Sequence, residues 1–254
     1  MTHVLRAKNL TVRLGAATVI DNIHLDVTPG SITALIGPNG SGKTSLLRAV
    51  LGHIPHIGNV DWFAKPLSKW SNKELAKRVG YVPQAPTSDV NDSVIDTLRL
   101  GRSPHQSWLG IEHEHDDRVV ESVARSLELT DLLSRRLGTL SGGQRQRVFL
   151  GRALAQEPTA LLLDEPATFL DLRHQVELHL LLRRIAREQH VGILMASHDL
   201  NLVATHADTV MILKAGQCVT TGPTPDAMTS ESLTHAFDVP VNRIESDGRV
   251  HFLI

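Results

Sequence analysis

The chain has 254 residues, of which 41% are hydrophobic, and its formal net charge is −1. This composition supports a substantial core and argues against disorder, and without a basic excess it gives no reason to expect nucleic acid as a partner. The single cysteine, Cys218, excludes an internal disulfide and fits a reducing compartment. No secretory signal is visible and no apolar run approaches the ~18–20 residues of a membrane span, so we expect a cytoplasmic protein that reaches a membrane only through a partner.

Short apolar runs separated by glycine turns dominate the beginning of the chain. Gly15 joins two strand-like runs, and the dipeptide Pro29-Gly30 is a turn that leads into another apolar run. Ser71 and Glu74 have the spacing of a capping box, which predicts the start of a short helix. The predicted elements are strands at 4–14, 23–27, 31–36, 59–63 and 79–82 and helices at 44–50 and 71–78.

The pattern becomes helical and more polar from about residue 85. Valine, isoleucine and leucine recur at helical spacing over 93–100 and 116–129, with a loop at 101–115 between them. A further helix is predicted from the glycine-rich turn near 141 to 156, where Pro158 stops it. We interpret about 85–158 as an inserted helical subdomain.

Buried strands and helices alternate in the remainder of the chain. Such alternation predicts an α/β fold with a largely parallel sheet whose ligands lie at the carboxyl ends of the strands. The predicted elements are a strand at 160–163, a helix from an N-cap at Asp171 to about 189, a strand at 191–197, a hairpin of strands 209–213 and 217–220, a helix at 231–237 and a hairpin at Asp247-Gly248.

A glycine-rich loop between the strand at 31–36 and the helix at 44–50 has the pattern G-x-x-x-x-G-K-[ST]. Strand, loop and helix in this order are the context of a working phosphate-binding loop, in which backbone N–H groups and the helix N-terminus surround phosphate oxygens. Lys43 can reach the β- and γ-phosphates, and the Thr44 hydroxyl can ligate Mg²⁺. The candidate nucleotide-binding residues are Gly37, Pro38, Asn39, Gly40, Ser41, Gly42, Lys43, Thr44 and Ser45.

An acidic pair, Asp164-Glu165, follows the buried strand at 160–163. A carboxylate at this point can face the Mg²⁺ that Thr44 also holds, which makes Asp164 a candidate metal ligand. Glu165 comes one residue later and can polarise a water in line with the γ-phosphate. The pair therefore indicates hydrolysis of a nucleoside triphosphate.

A second anion cradle is predicted at Ser141, Gly142, Gly143 and Gln144, by the same helix-dipole logic. The chain has one phosphate loop and one acidic pair, so this cradle has no second site of its own. Either it is a glycine-rich helix cap, or two copies pair head to tail and each completes the γ-phosphate pocket of the other.

The order of these motifs closely resembles that of the ATP-binding subunit of ABC transporters, with LSGGQ at 140–144 between the phosphate loop and LLLDEP at 161–166. The resemblance covers nearly the whole chain. It implies an α/β P-loop NTPase fold, that of an ABC ATPase, as one domain over 1–254. That fold has a mostly parallel core sheet, an N-terminal antiparallel β subdomain and the inserted helical subdomain.

The resemblance also implies roles for three further residues. Gln84 matches the glutamine that senses Mg²⁺ and water and touches the membrane subunit. Asp171 matches the loop that crosses the dimer interface, and His198 matches the switch histidine at the γ-phosphate. ATP, Mg²⁺ and a second copy of the chain are thus the implied ligands and partner.

Softer similarities point to importers of ferric siderophores, cobalamin and haem, and they lie at 100–105, 170–175 and 233–241. They imply integral membrane permease subunits as partners and, indirectly, a periplasmic or surface solute-binding protein. The implied location is the cytoplasmic face of the cell membrane, with the chain held there by the permease. Nothing in the ATPase chemistry itself distinguishes import from export.

Three features depart from the family pattern or invite another interpretation. Leu14 stands where the family usually places an adenine-stacking aromatic, and a lost stack is worth roughly 1–3 kcal/mol. The run His113-Glu114-His115-Asp116 resembles a metal-ligand set, but we interpret it as a solvated polar loop. We expect Cys218 to be a small buried strand residue.

Two alternatives to a transport ATPase remain. The first is a soluble ABC ATPase that is not coupled to transport, although such proteins on ribosomes carry two cassettes and those on chromosomes carry a long coiled coil. The second is a module that binds ATP without hydrolysing it, which the presence of Glu165 and His198 disfavours.

Overall fold

The computed structural model describes residues 3–85, 89–106, 114–168, 170–246 and 249–254. The strands are β1 (Leu5–Leu14), β2 (Ala17–Val27), β3 (Ile32–Ile36), β4 (Ile57–Trp62), β5 (Lys65–Pro66), β6 (Val79–Val82), β7 (Ala160–Asp164), β8 (Gly192–Ala196), β9 (Thr209–Lys214), β10 (Gln217–Pro223), β11 (Asn242–Ser246) and β12 (Arg249–Leu253). The helices are α1 (Lys43–Val50), α2 (Asn72–Ala76), α3 (Val94–Leu100), α4 (Glu114–Ser126), α5 (Gly142–Leu154), α6 (Leu172–Gln189), α7 (Leu200–His206), α8 (Thr224–Ala227) and α9 (Ser230–Phe237).

The main sheet has the strand order β10-β9-β3-β8-β7-β6. Every neighbouring pair is parallel except β9 and β10, which form the predicted antiparallel hairpin. Both faces of the central strands are covered, as their unbroken apolar runs require. In β7, Leu162 packs in the cluster with α1 and the N-terminal strands, whereas Leu161 and Leu163 pack in the cluster with α5 and α6. The predicted parallel core is confirmed.

A second sheet, with the order β2-β1-β4-β5, is antiparallel throughout and confirms the expected N-terminal β subdomain. The strand β2 is longer than predicted and begins at Ala17 rather than near residue 23. An irregularity in the pairing explains the error. Ile20 pairs with Val12 and Ile23 with Leu10, so β2 carries one extra residue there, and the period-2 alternation is lost.

The helices α3, α4 and α5 lie between β6 and β7 in the chain, and their predicted starts and ends hold to within a few residues. A buried guanidinium joins them. Arg102 donates to Asp116 Oδ1 at 2.7 Å, to the Ala155 carbonyl at 2.6 Å and to Glu157 Oε2 at 2.9 Å. The expectation of a solvated loop is therefore wrong for Asp116, which is buried in α4. His113 lies outside the described residues, and within them no cluster of metal-ligating side chains occurs.

Two predictions in the last quarter of the chain need correction. The helix α7 was not predicted, because it is short and begins directly after β8, where Asp199 accepts a hydrogen bond from the Leu202 N–H at 2.9 Å. Cys218 is exposed rather than buried, since β10 is the edge strand of the main sheet. The strands β11 and β12 form the predicted final hairpin, whose turn at Asp247-Gly248 lies outside the described residues.

None of the described helices is both long enough and apolar enough to cross a membrane.

Two histidines stack between α6 and α7. The ring centroids of His179 and His206 lie 5.4 Å apart, and neither ring nitrogen of His179 has a hydrogen-bond partner within the described chain. Burial lowers the pKa of His179 to about 4 from an ordinary 6.5, and the neighbouring His206 adds to this effect. The ring is thus neutral in the folded protein under conditions in which the unfolded chain already binds a proton.

This pair makes a prediction about acid stability. Above pH 6.5, the ordinary histidine pKa, His179 is neutral in both the folded and the unfolded chain and has no effect on stability through protonation. As the pH drops from there toward the folded pKa of about 4, the unfolded chain binds the proton first, so the free energy of unfolding falls. Changing His179 to Leu should reduce the loss of unfolding free energy between about pH 7.5 and about pH 4.5 by about 2–3 kcal/mol. Urea unfolding at the two pH values measures it. The exposed His24, changed to Leu, is the control and should leave the loss as in the parent.

Candidate nucleotide site

Four parallel strands deliver their carboxyl ends to the same edge of the main sheet. The phosphate loop follows β3, the acidic pair ends β7, His198 follows β8, and Gln84 follows β6. An open cleft of about 780 Å³ lies at this edge. Its lining residues are Val19, Asn39, Gly40, Ser41, Gly42, Lys43, Thr44, Ser45, Gln84, Glu165, Thr168 and His198. The structure therefore brings together residues from five separate parts of the chain.

The phosphate loop depends on glycine at two positions. Gly37 has φ +150°, and a Cβ there would lie 2.1 Å from the Leu213 carbonyl oxygen. Gly42 has φ +103°, and a Cβ there would lie 2.5 Å from Ile20 Cδ1. Because no side chain fits at either position, the backbone can fold tightly against β9 and β2. The Ser41 hydroxyl oxygen is buried in the loop and has no hydrogen-bond partner among the described residues, so an anionic ligand in the cleft would satisfy it.

The Lys43 ammonium folds back over the loop. Its Nζ donates to the carbonyl oxygens of Gly37 at 2.8 Å and Pro38 at 3.2 Å, and it lies 3.8 Å from Glu165 Oε1. Burial lowers the pKa of Lys43, while the charges of Glu165 and Asp164 oppose that change. Lys43 is also the first residue of α1, whose positive N-terminus points at the same loop. The Lys43 ammonium and the N-terminus of α1 therefore both place positive charge at the loop, which favours binding of phosphate.

Thr44 and Asp164 come into direct contact across the sheet edge. Thr44 Oγ1 donates to Asp164 Oδ1 at 3.0 Å, although the two residues lie far apart in the sequence. Burial raises the pKa of Asp164, and the hydrogen bond from Thr44 opposes that change. A hydroxyl and a carboxylate oxygen side by side are the ligand types that hard divalent cations prefer.

Polar side chains surround the Glu165 carboxylate in the cleft. It accepts hydrogen bonds from Gln84 Nε2 at 3.0 Å and from Thr168 Oγ1 at 3.2 Å, and its Oε2 lies 3.6 Å from His198 Nδ1. Its backbone has φ +47°, a conformation that non-glycine residues rarely adopt and that often occurs at functional sites. The carboxylate is thus held at the centre of three polar side chains.

Two lining residues, Val19 and Thr168, were missed by the sequence analysis. Thr168 stands three residues after Glu165 in a loop, a spacing at which a hydroxyl can bond back to a carboxylate. Val19 reaches the cleft from β2. Leu14 was the expected base contact, but this half-exposed residue ends β1 and is not among the described residues that line the cleft.

The residues 141–144 and Asp171 lie outside this cleft. Ser141 caps α5 in a reciprocal capping box, in which its Oγ accepts from the Gln144 N–H at 3.2 Å and Gln144 Oε1 accepts from the Ser141 N–H at 3.1 Å. Asp171 caps α6 and accepts from the His174 N–H at 2.9 Å. Neither helix start lines the cleft with the phosphate loop of its own chain.

A phosphate loop that faces an acidic pair and a histidine along the edge of a parallel sheet defines a P-loop nucleoside triphosphatase. A family profile for ABC transporters matches residues 20–168, more than half of the chain. The chain therefore belongs to the ABC transporter family. It is an ATPase, as the ATP-binding proteins of that family are.

Individual relatives agree with this family. The hemin import ATP-binding protein HmuV of Thermobifida fusca is 40% identical over 94% of this chain and 84% of its own length. The iron(3+)-hydroxamate import ATP-binding protein FhuC of Bacillus subtilis is 36% identical over 97% of this chain and 92% of its own length. A solved metal-chelate type ABC transporter in an inward-facing conformation matches with a TM-score of 0.87 and 31% identity, over 99% of this chain and 97% of that one.

The buried Asp164 makes a prediction about stability. Above its raised pKa the charged carboxylate costs the folded state free energy, so Asp164→Asn should raise the thermal midpoint of the nucleotide-free protein at neutral pH. The gain should shrink as the pH falls through the folded pKa toward the ordinary value of 3.8. Calorimetry over this pH range measures the effect.

The exposed Asp131, changed to Asn, is the control for that measurement and should leave the midpoint unchanged. A lower midpoint for Asp164→Asn at neutral pH would contradict the argument, because it would mean that the charge is net stabilising without nucleotide.

Proposed function

We propose that Glu165 is the general base of ATP hydrolysis in this chain. The observation that carries the proposal is its position, within hydrogen-bond reach of Gln84 and Thr168 and next to His198, at the rim of the phosphate-loop cleft. A carboxylate held in this way can accept the proton of a water that attacks the γ-phosphate. Gln84 orients that water, and His198 contacts the γ-phosphate when nucleotide is bound.

The phosphate loop binds the nucleotide in this proposal. The backbone from Gly37 to Ser45 encloses the phosphates, Ser41 Oγ gains a partner, and Lys43 turns from the Gly37 carbonyl to the β- and γ-phosphates. Val19 lines the cleft and Leu14 does not, and neither side chain has an aromatic face to offer adenine. Base selectivity therefore depends weakly on stacking.

Mg²⁺ fits the contact between Thr44 Oγ1 and Asp164 Oδ1. These two residues would hold the ion, with Gln84 as a further oxygen ligand. When bound, Mg²⁺ neutralises charge on the phosphate oxygens. It would also offset the burial that raises the pKa of Asp164.

We further propose that two copies of the chain pair head to tail around ATP. At the N-terminus of α5, Ser141 and Gly142 are exposed and Gly143 and Gln144 are partly exposed, and none of these four residues lines the cleft with their own phosphate loop. It would meet the γ-phosphate held by the other copy, and Asp171 would cross the interface. Hydrolysis at Glu165 would remove the shared phosphate and allow the dimer to open.

The transported solute in this proposal is a metal chelate, with a ferric siderophore first and haem or cobalamin next. The relatives named above import hemin and iron(3+)-hydroxamate, at 40% and 36% identity over nearly the whole chain. The chain, as a single ATP-binding domain with a helical subdomain at about 85–158, would sit on the cytoplasmic face of the membrane. Integral permease subunits would hold it there, and a solute-binding protein would act with them indirectly.

Replacing Glu165 by Gln should retain ATP binding and abolish turnover, because the amide accepts hydrogen bonds but takes no proton. We expect ATPase activity to fall by about 10²–10⁴-fold. Steady-state phosphate release and equilibrium binding of labelled ATP check the two parts. The exposed Glu231 in α9, changed to Gln, should alter neither, and an active Glu165→Gln protein would remove Glu165 from the role of base.

Coupling to a membrane permease separates the transport function from a soluble ABC ATPase. We expect the ATPase rate to rise severalfold when the chain is reconstituted with its permease in lipid, and uptake of one metal chelate to stop in a deletion strain. The parent should restore uptake and Glu165→Gln should not. An ATPase rate that no permease changes, together with normal uptake of ferric siderophores, haem and cobalamin, would instead support the soluble alternative.

A further inference from the structure

His174 contacts both of the helix starts that lie outside the cleft. It stands in the first turn of α6, three residues after Asp171, and its Nδ1 lies 2.7 Å from Asp171 Oδ1. Hydrogen bonds from the backbone and side chain of His174 lower the pKa of Asp171, so this carboxylate is ionised near neutral pH. Nδ1 of His174 therefore carries a hydrogen and donates a hydrogen bond to Asp171 Oδ1.

The other side of the ring touches the glycine turn at the start of α5. A Cβ built on Gly143 would lie 3.1 Å from His174 Cδ2 and 3.2 Å from Cγ, closer than side chains ordinarily pack. The imidazole thus packs against Gly143 and leaves little room for a side chain there. Only about 40 Å³ remains between the two helices here, in a space lined in part by Arg147, Leu170 and Leu178. The ring and the glycine therefore pack closely.

We propose that His174 is a positioning residue that couples Asp171 to the anion cradle at 141–143. The proposal rests on the proposed head-to-tail dimer, in which Asp171 crosses the interface and the cradle meets the γ-phosphate of the other copy. A shift of Asp171 then moves the imidazole, and the imidazole moves the backbone of Gly143. His174 touches no nucleotide itself, so it acts through these two neighbours.

The contacts of His174 also indicate how little its side chain contributes to folding stability. In the pair formed by His174 and Asp171, the side chains are 34% and 66% exposed, and ion pairs that solvent reaches contribute little to stability. The helix cap itself uses the backbone N–H of residue 174 and survives a change of side chain. We therefore expect a substitution at His174 to change assembly more than folding.

The test starts from the Glu165→Gln protein, which is expected to bind ATP without hydrolysing it. His174→Ala or His174→Asn is then added as a second substitution. Asparagine places its amide nitrogen where Nδ1 lies and its remaining amide atoms where Cγ and Cδ2 lie, so it keeps both contacts. Sedimentation velocity with saturating MgATP measures dimer formation, labelled ATP measures binding to the monomer, and thermal unfolding measures stability. The control is Arg173→Ala, because the exposed Arg173 pairs with Glu177 instead.

We expect His174→Ala to weaken ATP-driven dimerisation by about tenfold, on the order of one hydrogen bond to a charged group. Its ATP affinity as a monomer should stay within about twofold of the parent. His174→Asn should recover most of the loss, and Arg173→Ala should show none. In an otherwise unaltered chain, His174→Ala should lower kcat more than it raises KM for ATP, since only the closed dimer uses the cradle.

Four results would overturn the proposal. Dimerisation of His174→Ala at the parent level would remove the coupling, and equal losses in the Ala and Asn proteins would mean that the two contacts do not carry it. A fall in unfolding midpoint that accounts for the loss would make the residue merely structural. If the Glu165→Gln parent itself stays monomeric with MgATP, the dimer is wrong, and the role of His174 falls with it.

Discussion

The site depends on the hydrogen-bonded alignment of β3, β8, β7 and β6. Parallel pairing puts the carboxyl ends of these strands at one edge, and each strand is followed there by a polar group. The strands themselves are apolar and buried on both faces, so they offer no freedom to slip without exposing a core. The sheet therefore sets the positions of Asp164, Glu165 and His198 directly, and it sets that of Lys43 through the phosphate loop that follows β3.

That arrangement concentrates charge where water is scarce. Lys43, Asp164 and Glu165 are close together and mostly buried, and burial shifts the pKa of Lys43 down and that of Asp164 up. The Lys43 ammonium donates to loop carbonyls, whereas Ser41 Oγ has no hydrogen-bond partner among the described residues. A bound phosphate would supply that missing partner, and the proposed function adds a divalent cation beside Thr44 and Asp164. Burying these polar groups thus costs the fold free energy, and binding of a phosphate ligand would offset that cost.

The starts of α5 and α6, which lie outside the cleft, are held in place by local contacts rather than by the sheet. The starts of α5 and α6 are capped by their own side chains, Ser141 and Asp171, and remain exposed. His174 joins them through one hydrogen bond and one close contact with a glycine. A cleft that is complete in phosphate and acid groups but lacks this cradle is consistent with a site finished by a second copy. In the proposed dimer, communication between the copies would pass through these short local contacts.

Local chemistry was readable from the sequence because each signal depends on residues within a few positions of one another. The phosphate loop, the acidic pair after an apolar run, the capping box at Ser71 and the glycine-rich helix start at Ser141 are of this kind. The resemblance to ABC ATPases then supplied roles for Gln84, Asp171 and His198. The tertiary structure decided what depends on distant neighbours: the extra residue in β2, the exposure of Cys218 on an edge strand, the approach of Thr168 to Glu165 and the packing of His174 on Gly143. Contacts of this second kind follow from which segments the fold places side by side, and no short-range pattern encodes that.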